Sequence, residues 1–289
     1  MISVIMPVYN VKEYVKEAIE SVLNQSFKDF ELIIVDDGST DGSEVICDQY
    51  ASKDNRIHVI HKKNGGLSSA RNCGLDVMKG DLVTFIDSDD VWNHNYLELL
   101  EKAKREANAE ISICSYQVFI DKYQLMCLNH KKKTYTGKKF VHLIFGPQMI
   151  GGYAWGKLFD SSIFKDCRFP IGRLYEDIFT IPYVIYPVKK IVYLYDQLYY
   201  YRRRAGSILN KYTPERADEL FALSKLADYA IEKHDLLLHW YACINTIRSY
   251  LEVKHRFKKY SYNFDSIKIQ FEHKKSKLIC GCFFPWIGL

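Results

Sequence analysis

Short runs of apolar, largely β-branched residues recur through the first 115 positions, each bounded by polar or glycine-containing stretches. Residues 2–6, 32–35, 57–60, 82–86 and 111–114 read as buried strands. Between the first two, Val11, Tyr14, Val15, Ala18, Ile19, Val22 and Leu23 recur at helical spacing. Residues 41–50, 68–78 and 96–107 read as further helices. A β-α-β-α order of this kind predicts an α/β fold with a mostly parallel sheet and helices on both faces. From 116 to 210 the pattern is mixed. Strands are expected at 115–119, 153–159, 191–194 and 198–202, with Gly151, Gly152 and Gly206 as punctuation. Beyond Thr213-Pro214, where proline suits a helix start, helices are expected through about residue 277. An apolar, aromatic tail (278–289) ends the chain. The expected division is 1–115, 116–210 and 211–289.

Three of the expected strands run into polar or acidic residues: Tyr9-Asn10, Asp36-Asp37 and Asp87-Ser88-Asp89-Asp90. In an open parallel sheet the ligand crevice lies beyond the carboxyl ends of the strands, so Tyr9, Asp37, Asp87 and Asp89 are expected around one cleft. Carboxylates gathered at one point repel unless a cation stands between them. Asp87-x-Asp89 supplies the hard oxygen ligands that suit Mg²⁺ or Mn²⁺, although the same spelling also serves ordinary loops and N-caps. Asp37 is either a ligand-facing carboxylate or part of a turn and the cap of helix 41–50. Tyr9 is either a stacking ring or a strand-end aromatic. Arg71 follows the glycine-rich Asn64-Gly-Gly-Leu stretch near a helix start, where exposed N–H groups and a guanidinium suit phosphate.

Composition narrows the classes. At 289 residues, 48% hydrophobic and 26% charged, the chain has the balance of a soluble globular protein with a large core. No signal peptide is recognised at the start, and no window reaches the roughly 18–20 apolar residues of a membrane span. The eight cysteines are scattered and are expected to be reduced core residues of a cytoplasmic protein. Cys280 and Cys282 lack the second pair that a zinc site needs. There is no Gly-x-Gly-x-x-Gly after the first strand and no P-loop. The net charge of +5 is concentrated: residues 252–277 carry eight Lys/Arg against Glu252, Asp265 and Glu272, an excess equal to the whole net charge. Such a basic, aromatic segment can face nucleic acid, anionic lipid or water.

Taken together, the segments Pro7-Val8-Tyr9-Asn10, Val35-Asp-Asp-Gly-Ser39, Asn64-Gly-Gly-Leu-Ser-Ser-Ala-Arg-Asn-Cys-Gly74 and Phe85-Ile-Asp-Ser-Asp-Asp90 closely resemble glycosyltransferase family 2 members with the GT-A fold. Ala154-Trp-Gly-Lys-Leu-Phe159, Tyr175-Glu-Asp-Ile-Phe179 and the run from Tyr199 to Ser207 extend the likeness. The resemblance implies a Rossmann-like GT-A nucleotide-diphospho-sugar transferase fold with C-terminal helices. It implies an inverting, non-processive enzyme that moves a sugar from a nucleotide-sugar donor, a UDP-hexose or UDP-N-acetylhexosamine, to a hydroxyl of a glycan or lipid-linked glycan, in bacterial surface polysaccharide synthesis.

In that scheme Pro7, Val8, Tyr9 and Asp37 would cradle the base, and Asn64, Arg71 and Ser88 would belong to the donor site. Asp87 would face ribose and metal, and Asp89 would hold Mn²⁺ or Mg²⁺ on the diphosphate. Asp177 matches the catalytic base. Trp155 would be a sugar platform or a core tryptophan. Glu176 would press on Asp177 as a like charge, bind acceptor, or cap its helix. The Gln-x-x-Arg-Trp motif of processive members is absent. No histidine lies near Ser207, where some relatives contribute a metal or phosphate contact, which leaves Arg202–Arg204 as the substitute. The competing readings are a sugar-phosphate nucleotidylyltransferase, which would show a basic glycine-rich loop after the first strand, a non-catalytic glycan- or nucleotide-sugar-binding module, and a transferase acting on a protein-linked glycan. Glycan rather than nucleic acid is the expected partner. The basic segment and tail are expected to lie peripherally on an anionic membrane surface, to pack on the catalytic domain, or to join a second subunit in a homodimer.

Overall fold

The computed structural model describes residues 1–125, 128–204 and 213–259. The chain forms two compact units, Met1–Gly137 with Tyr153–Gly172 and Pro187–Ala205, and Lys138–Gly152 with Arg173–Tyr186 and Gly206–Leu289.

The first unit contains the whole sheet. β1 (Ile2–Val8), β2 (Phe30–Asp36), β3 (Ile57–His61) and β4 (Leu82–Phe85) are parallel and lie in the order β3-β2-β1-β4. They alternate with helices α1 (Lys12–Leu23), α2 (Ser43–Ala51) and α3 (Leu67–Val77), and α4 (Tyr96–Ala107) follows. Alternate residues of β1 explain the layering. Val4, Met6 and Val8 join a core with Val15, Ile19 and Leu100, while Ile33, Val35 and Ala70 form a separate cluster on the other face. Strands covered on both faces read as continuous apolar runs, which is why the pattern found them. The chain steps outward from β1 to β3 and then returns to place β4 on the far side of β1. That reversal is the switch point beside which open α/β sheets bind their ligands.

The sheet continues through β8 (Lys157–Asp160), β6 (Ile111–Phe119), β9 (Ile191–Arg202) and β5 (Val91–Trp92), with β7 (Lys132–Tyr135) paired to β9. β8 is antiparallel to β4 and β6, whereas β6 and β9 are parallel. The mostly parallel α/β expectation holds, and three local expectations are corrected. The strand expected at 153–159 begins only at Lys157, because Gly156 takes a φ of +71° and the Lys157 ammonium gathers the carbonyls of Tyr153 and Trp155 at 2.5 and 3.3 Å. The two strands expected at 191–194 and 198–202 are one. The polar interruption near Asp196 marks a register shift against β6, and Asp196 is buried as the acceptor of the Asn129 and His130 N–H groups. The strands expected at 111–114 and 115–119 likewise merge into β6.

The second unit is helical: most of α5 (Gly137–Phe145), α6 (Glu176–Ile185), α7 (Asp218–Glu232) and α8 (Leu236–Lys259). Its polar centre is Asp235, which bonds to His142 Nε2 at 2.8 Å and accepts from the Tyr186 hydroxyl at 3.0 Å and Leu238 N–H at 3.1 Å. Burial pushes the Asp235 carboxyl up, but the Leu238, His142 and Tyr186 bonds outweigh it and hold the group below its ordinary range. Among the described residues, Cys47, Cys73, Cys114, Cys167 and Cys243 are free thiols. No described helix is long and apolar enough to cross a membrane. The basic stretch beyond Lys259, the tail at 278–289, Cys280, Cys282, Gly206 and Ser207 lie outside the described residues.

Candidate active site

Pro7 and Val8 end β1 in register with Val35 and Asp36 of β2, and the Asp37 N–H donates to the Val8 carbonyl at 2.8 Å. Tyr9 therefore emerges beside Asp37, with its ring 51% exposed and open to stacking. Asp37 is neither turn nor cap. The turn belongs to Asp36, which accepts from Ser39 N–H, and Asp41 gathers Lys12 N–H and Ser43 N–H ahead of α2. The Asp37 carboxylate instead accepts from Lys62 Nζ at 2.5 Å, Gly65 N–H at 3.0 Å and Gly66 N–H at 2.7 Å. It thus pins the loop leading into α3, and Gly38 closes the approach, since a Cβ there would stand 3.0 Å from Asn64 N. Asn64 is an exposed residue of that loop. The backbone N–H groups expected to meet a phosphate are in this arrangement spent on Asp37.

Arg71 is likewise not an open contact. It is 1% exposed, lies against Phe169 with the guanidinium carbon 5.3 Å from the ring centroid, and gives Nη2–H to Asp87 at 3.0 Å. Its place is behind Asp87, orienting that carboxylate from beneath. Asp87 and Asp89 keep about a quarter and a fifth of their side chains in solvent, while Ser88 and Asp90 between and beyond them are buried. Asp89 Oδ2 holds Arg204 Nε at 2.5 Å, and Arg202 donates from Nε to the Asp89 carbonyl at 2.8 Å. Arg202 also pairs with Glu17 of α1. Both arginines thereby lie against Asp89. Asp90 accepts from the Tyr199 hydroxyl at 2.6 Å and Arg202 N–H at 2.7 Å. Burial, then the charges of Asp89 and Asp87, push its carboxyl well above the ordinary range.

Asp87 and Asp89 at one strand end form a set of two hard oxygen donors. Mg²⁺ and Mn²⁺ are commonly held by one or two carboxylates completed by substrate phosphates rather than by an all-protein cage. No group of three or more His, Cys, Asp or Glu side chains among the described residues forms such a cage. The donor set fits a cation that arrives with a phosphate-bearing ligand.

Of the two readings of Trp155, sugar platform or core tryptophan, its packing fits the core one. It is 5% exposed, with Tyr153 stacked on it at 4.2 Å and Tyr199 at 4.3 Å, so neither face is free for a sugar. The exposed end of that stack is Tyr153, at 37%. In the second unit, Glu176 and Asp177 open α6, Glu176 buried and Asp177 half-buried. Tyr175 before them takes a φ of +57° and accepts a bond from Arg216, while Leu174 N–H and Arg173 are fixed by Asp218. Sequence reasoning missed Lys62, Tyr199, Glu17 and Asp90. The available signal was a basic residue directly after β3 and the Tyr199-Tyr-Tyr-Arg202 run that ends β9.

The description "Glycosyl transferase family 2" matches residues 3–167, which include every strand-end residue of the first unit named above except those of β9. The chain belongs to glycosyl transferase family 2. As a family 2 member it is 35% identical over 249 residues to Glycosyltransferase GlyA of Streptococcus pneumoniae, a match covering 81% of this chain but only 36% of GlyA. It is 33% identical to Glycosyltransferase GlyG of the same organism, covering 72% of this chain and 73% of GlyG. It is 34% identical to Minor teichoic acid biosynthesis protein GgaB of Bacillus subtilis, covering 70% of this chain and 23% of GgaB. Among solved structures, S. aureus TarS 1–349 in complex with UDP-GlcNAc superposes with a TM-score of 0.70 at 24% identity, over 82% of this chain and 70% of that one. With the β3-β2-β1-β4 order and its switch point, this likeness establishes the GT-A fold of the family 2 chain.

Proposed function

We propose that the protein is an inverting, metal-dependent glycosyltransferase that moves a sugar from a nucleotide-diphospho-sugar, a UDP-hexose or UDP-N-acetylhexosamine, to a hydroxyl of a glycan acceptor in bacterial cell-surface polysaccharide synthesis. The observation that carries this reading is the convergence of Tyr9, Asp37, Asp87 and Asp89 at the carboxyl ends of β1, β2 and β4, around the one strand-order reversal of the parallel half-sheet. The names of its relatives support the polysaccharide setting, and the UDP-GlcNAc held by TarS supports the donor class.

Each residue then has a task. Tyr9 stacks on the base. Asp37 shapes the base pocket by holding the Lys62–Gly66 loop, on which both of its carboxylate oxygens are already engaged. Asp87, oriented by Arg71, and Asp89 hold Mn²⁺ or Mg²⁺. When bound, the cation supplies Lewis-acid stabilisation of the departing diphosphate. A sugar hydroxyl is a poor nucleophile, so a carboxylate must take its proton as the new bond forms. Asp177 is assigned that base, and Glu176, buried beside it, the support of the helix start. Attack opposite the leaving group with a single base inverts the anomeric centre. Acceptor contact passes from Trp155 to Tyr153, whose exposed ring suits the apolar face of a sugar; a lipid-linked glycan is the acceptor class.

A panel of UDP-sugars, assayed for Mn²⁺-dependent UDP release with and without saccharide acceptors, tests the reading. Release from one UDP-sugar, stimulated by acceptor and abolished by chelator, is the expected result. UDP-sugar binding without turnover under every condition would make the chain a binding module.

A further inference from the structure

Exposed apolar side chains of the second unit concentrate on one face of α8. Leu237, Trp240, Ile244 and Leu251 are 44%, 37%, 41% and 59% exposed. Steps of three, four and seven residues keep them on one side of the helix, opposite Ala242, Thr246 and Val253, which are buried. From Leu237 to Leu251 the stripe runs about 21 Å at the helical rise. An apolar band of that length differs from the single exposed hydrophobics normal on a protein surface and marks an interaction site.

The charge along the same helix is predominantly positive. Arg248 lies within the stripe, and exposed Lys254, Lys258 and Lys259 follow it. Glu252 is the only acid in α8 and is 3.7 Å from Arg256. Leucine, isoleucine and tryptophan on one face with lysine and arginine beside them form the pattern of a helix lying in the plane of a lipid interface. A surface of net positive charge also calls for a partner of opposite sign. We propose that the exposed face of α8 docks the protein on an anionic membrane surface, with the stripe against the acyl–headgroup boundary and the basic end over anionic headgroups. This inference does not depend on the assignment of donor or base; its apolar stripe lies upstream of the basic segment that the sequence singled out, and its lysines are the first of that segment.

The test uses the full chain with vesicles of phosphatidylcholine alone or mixed with phosphatidylglycerol. Cosedimentation is expected with the mixed vesicles only, weakening as salt is raised. The Lys254→Gln/Lys258→Gln/Lys259→Gln variant should bind on the order of a hundredfold more weakly, each basic residue near an anionic surface contributing about a fivefold factor. Trp240→Ser/Leu251→Ser should weaken binding through lost apolar contact. Quenching of tryptophan emission by brominated lipid should shrink in Trp240→Phe. Since all these positions are exposed, unchanged far-UV spectra and melting midpoints are expected, and Trp240→Phe reports on contact even if the multiple variants unfold. Absence of binding, or binding and quenching that no α8 substitution alters, would overturn the proposal. A dimer dissolved by Trp240→Ser/Leu251→Ser, in a protein that ignores vesicles, would also overturn it and assign the face to a second copy of the chain.

Discussion

Arg204 neutralises Asp89 before any divalent cation arrives, through a 2.5 Å contact between side chains that are each about one-fifth exposed. A cation taking Asp89 would release that guanidinium beside the incoming diphosphate, where a planar cation is well used. Asp89→Asn should therefore keep the fold, lose most transfer activity, and make UDP binding indifferent to Mn²⁺. Arg204→Gln should tighten Mn²⁺ alone, because the competitor is gone, yet weaken UDP by about tenfold or more, the scale of a lost charge-assisted hydrogen bond. Calorimetric titration of Mn²⁺ and UDP, separately and together, reads both signs. Full activity of Asp89→Asn in excess chelator would refute the metal assignment. A second residue-level expectation concerns His61, bonded to Asp36 at 2.9 Å and Asp48 at 3.0 Å, which raise its pKa above the ordinary value against a smaller opposing effect of burial. A raised pKa in the folded state stabilises the fold fully below about pH 6.5, and that contribution is lost as pH rises through the folded-state value. Urea midpoints measured between about pH 6 and 8.5 should fall with this component in the native protein and lack it in His61→Gln. At this scale the sequence named residues that the fold sets at the strand ends, but not the bonds they make. Asp37 and Arg71 look like ligand contacts in one dimension, and only packing shows that their bonds go to the Gly65–Gly66 loop and to Asp87.

The elements that were legible are those whose pattern has one strong cause. β1, β2 and β3 are recovered within two residues at either end, as are α1, α3 and α4, because burial on both faces or on one helical stripe leaves little ambiguity. β5, the apolar pair Val91-Trp92, is too short to show a period, and β7, the exposed edge sequence Lys-Lys-Thr-Tyr, carries no apolar signal. The loop at 153–156 reads as strand in the sequence because Trp155 is buried, yet by stacking between Tyr153 and Tyr199 rather than by strand pairing. The tightest element contact yields a test. A Cβ on Gly74 of α3 would meet Ile5 Cγ2 at 2.6 Å, inside the fully buried β1. Removing a glycine from a helix interior gains about 1 kcal/mol, whereas overpacking costs about 1–3 kcal/mol. Gly74→Ala should lower the urea midpoint, and because α3 carries Arg71 it should weaken UDP binding as well. A variant as stable as the parent, with unchanged UDP affinity, would show that α3 shifts freely and does not set Asp87.

At the scale of the whole molecule, the residues assigned to the donor and the residue assigned to proton transfer belong to different compact units: Tyr9, Asp37, Asp87 and Asp89 to the first, Asp177 to the second. The start of α6 is also secured within its own unit, by Asp218 on Arg173 and Leu174 and by Arg216 on Tyr175. The bonds described for Asp37, Asp87 and Asp89 run to Lys62, the Gly65–Gly66 loop, Arg71 and Arg204, all of the first unit. Asp177→Asn is close in size and keeps the half-buried first turn of α6, so its effect should appear in the chemical step. The expected result is a kcat lower by about 10²–10⁴-fold, the range for a lost general base, with UDP affinity measured calorimetrically close to that of the parent. Rapid mixing of enzyme with saturating donor and acceptor would confirm that the slow step is sugar transfer rather than donor capture. If the defect lay in UDP affinity, Asp177 would be a binding residue. If Glu176→Gln were crippled while Asp177→Asn retained its rate, the buried neighbour would be the base and the half-buried one its support.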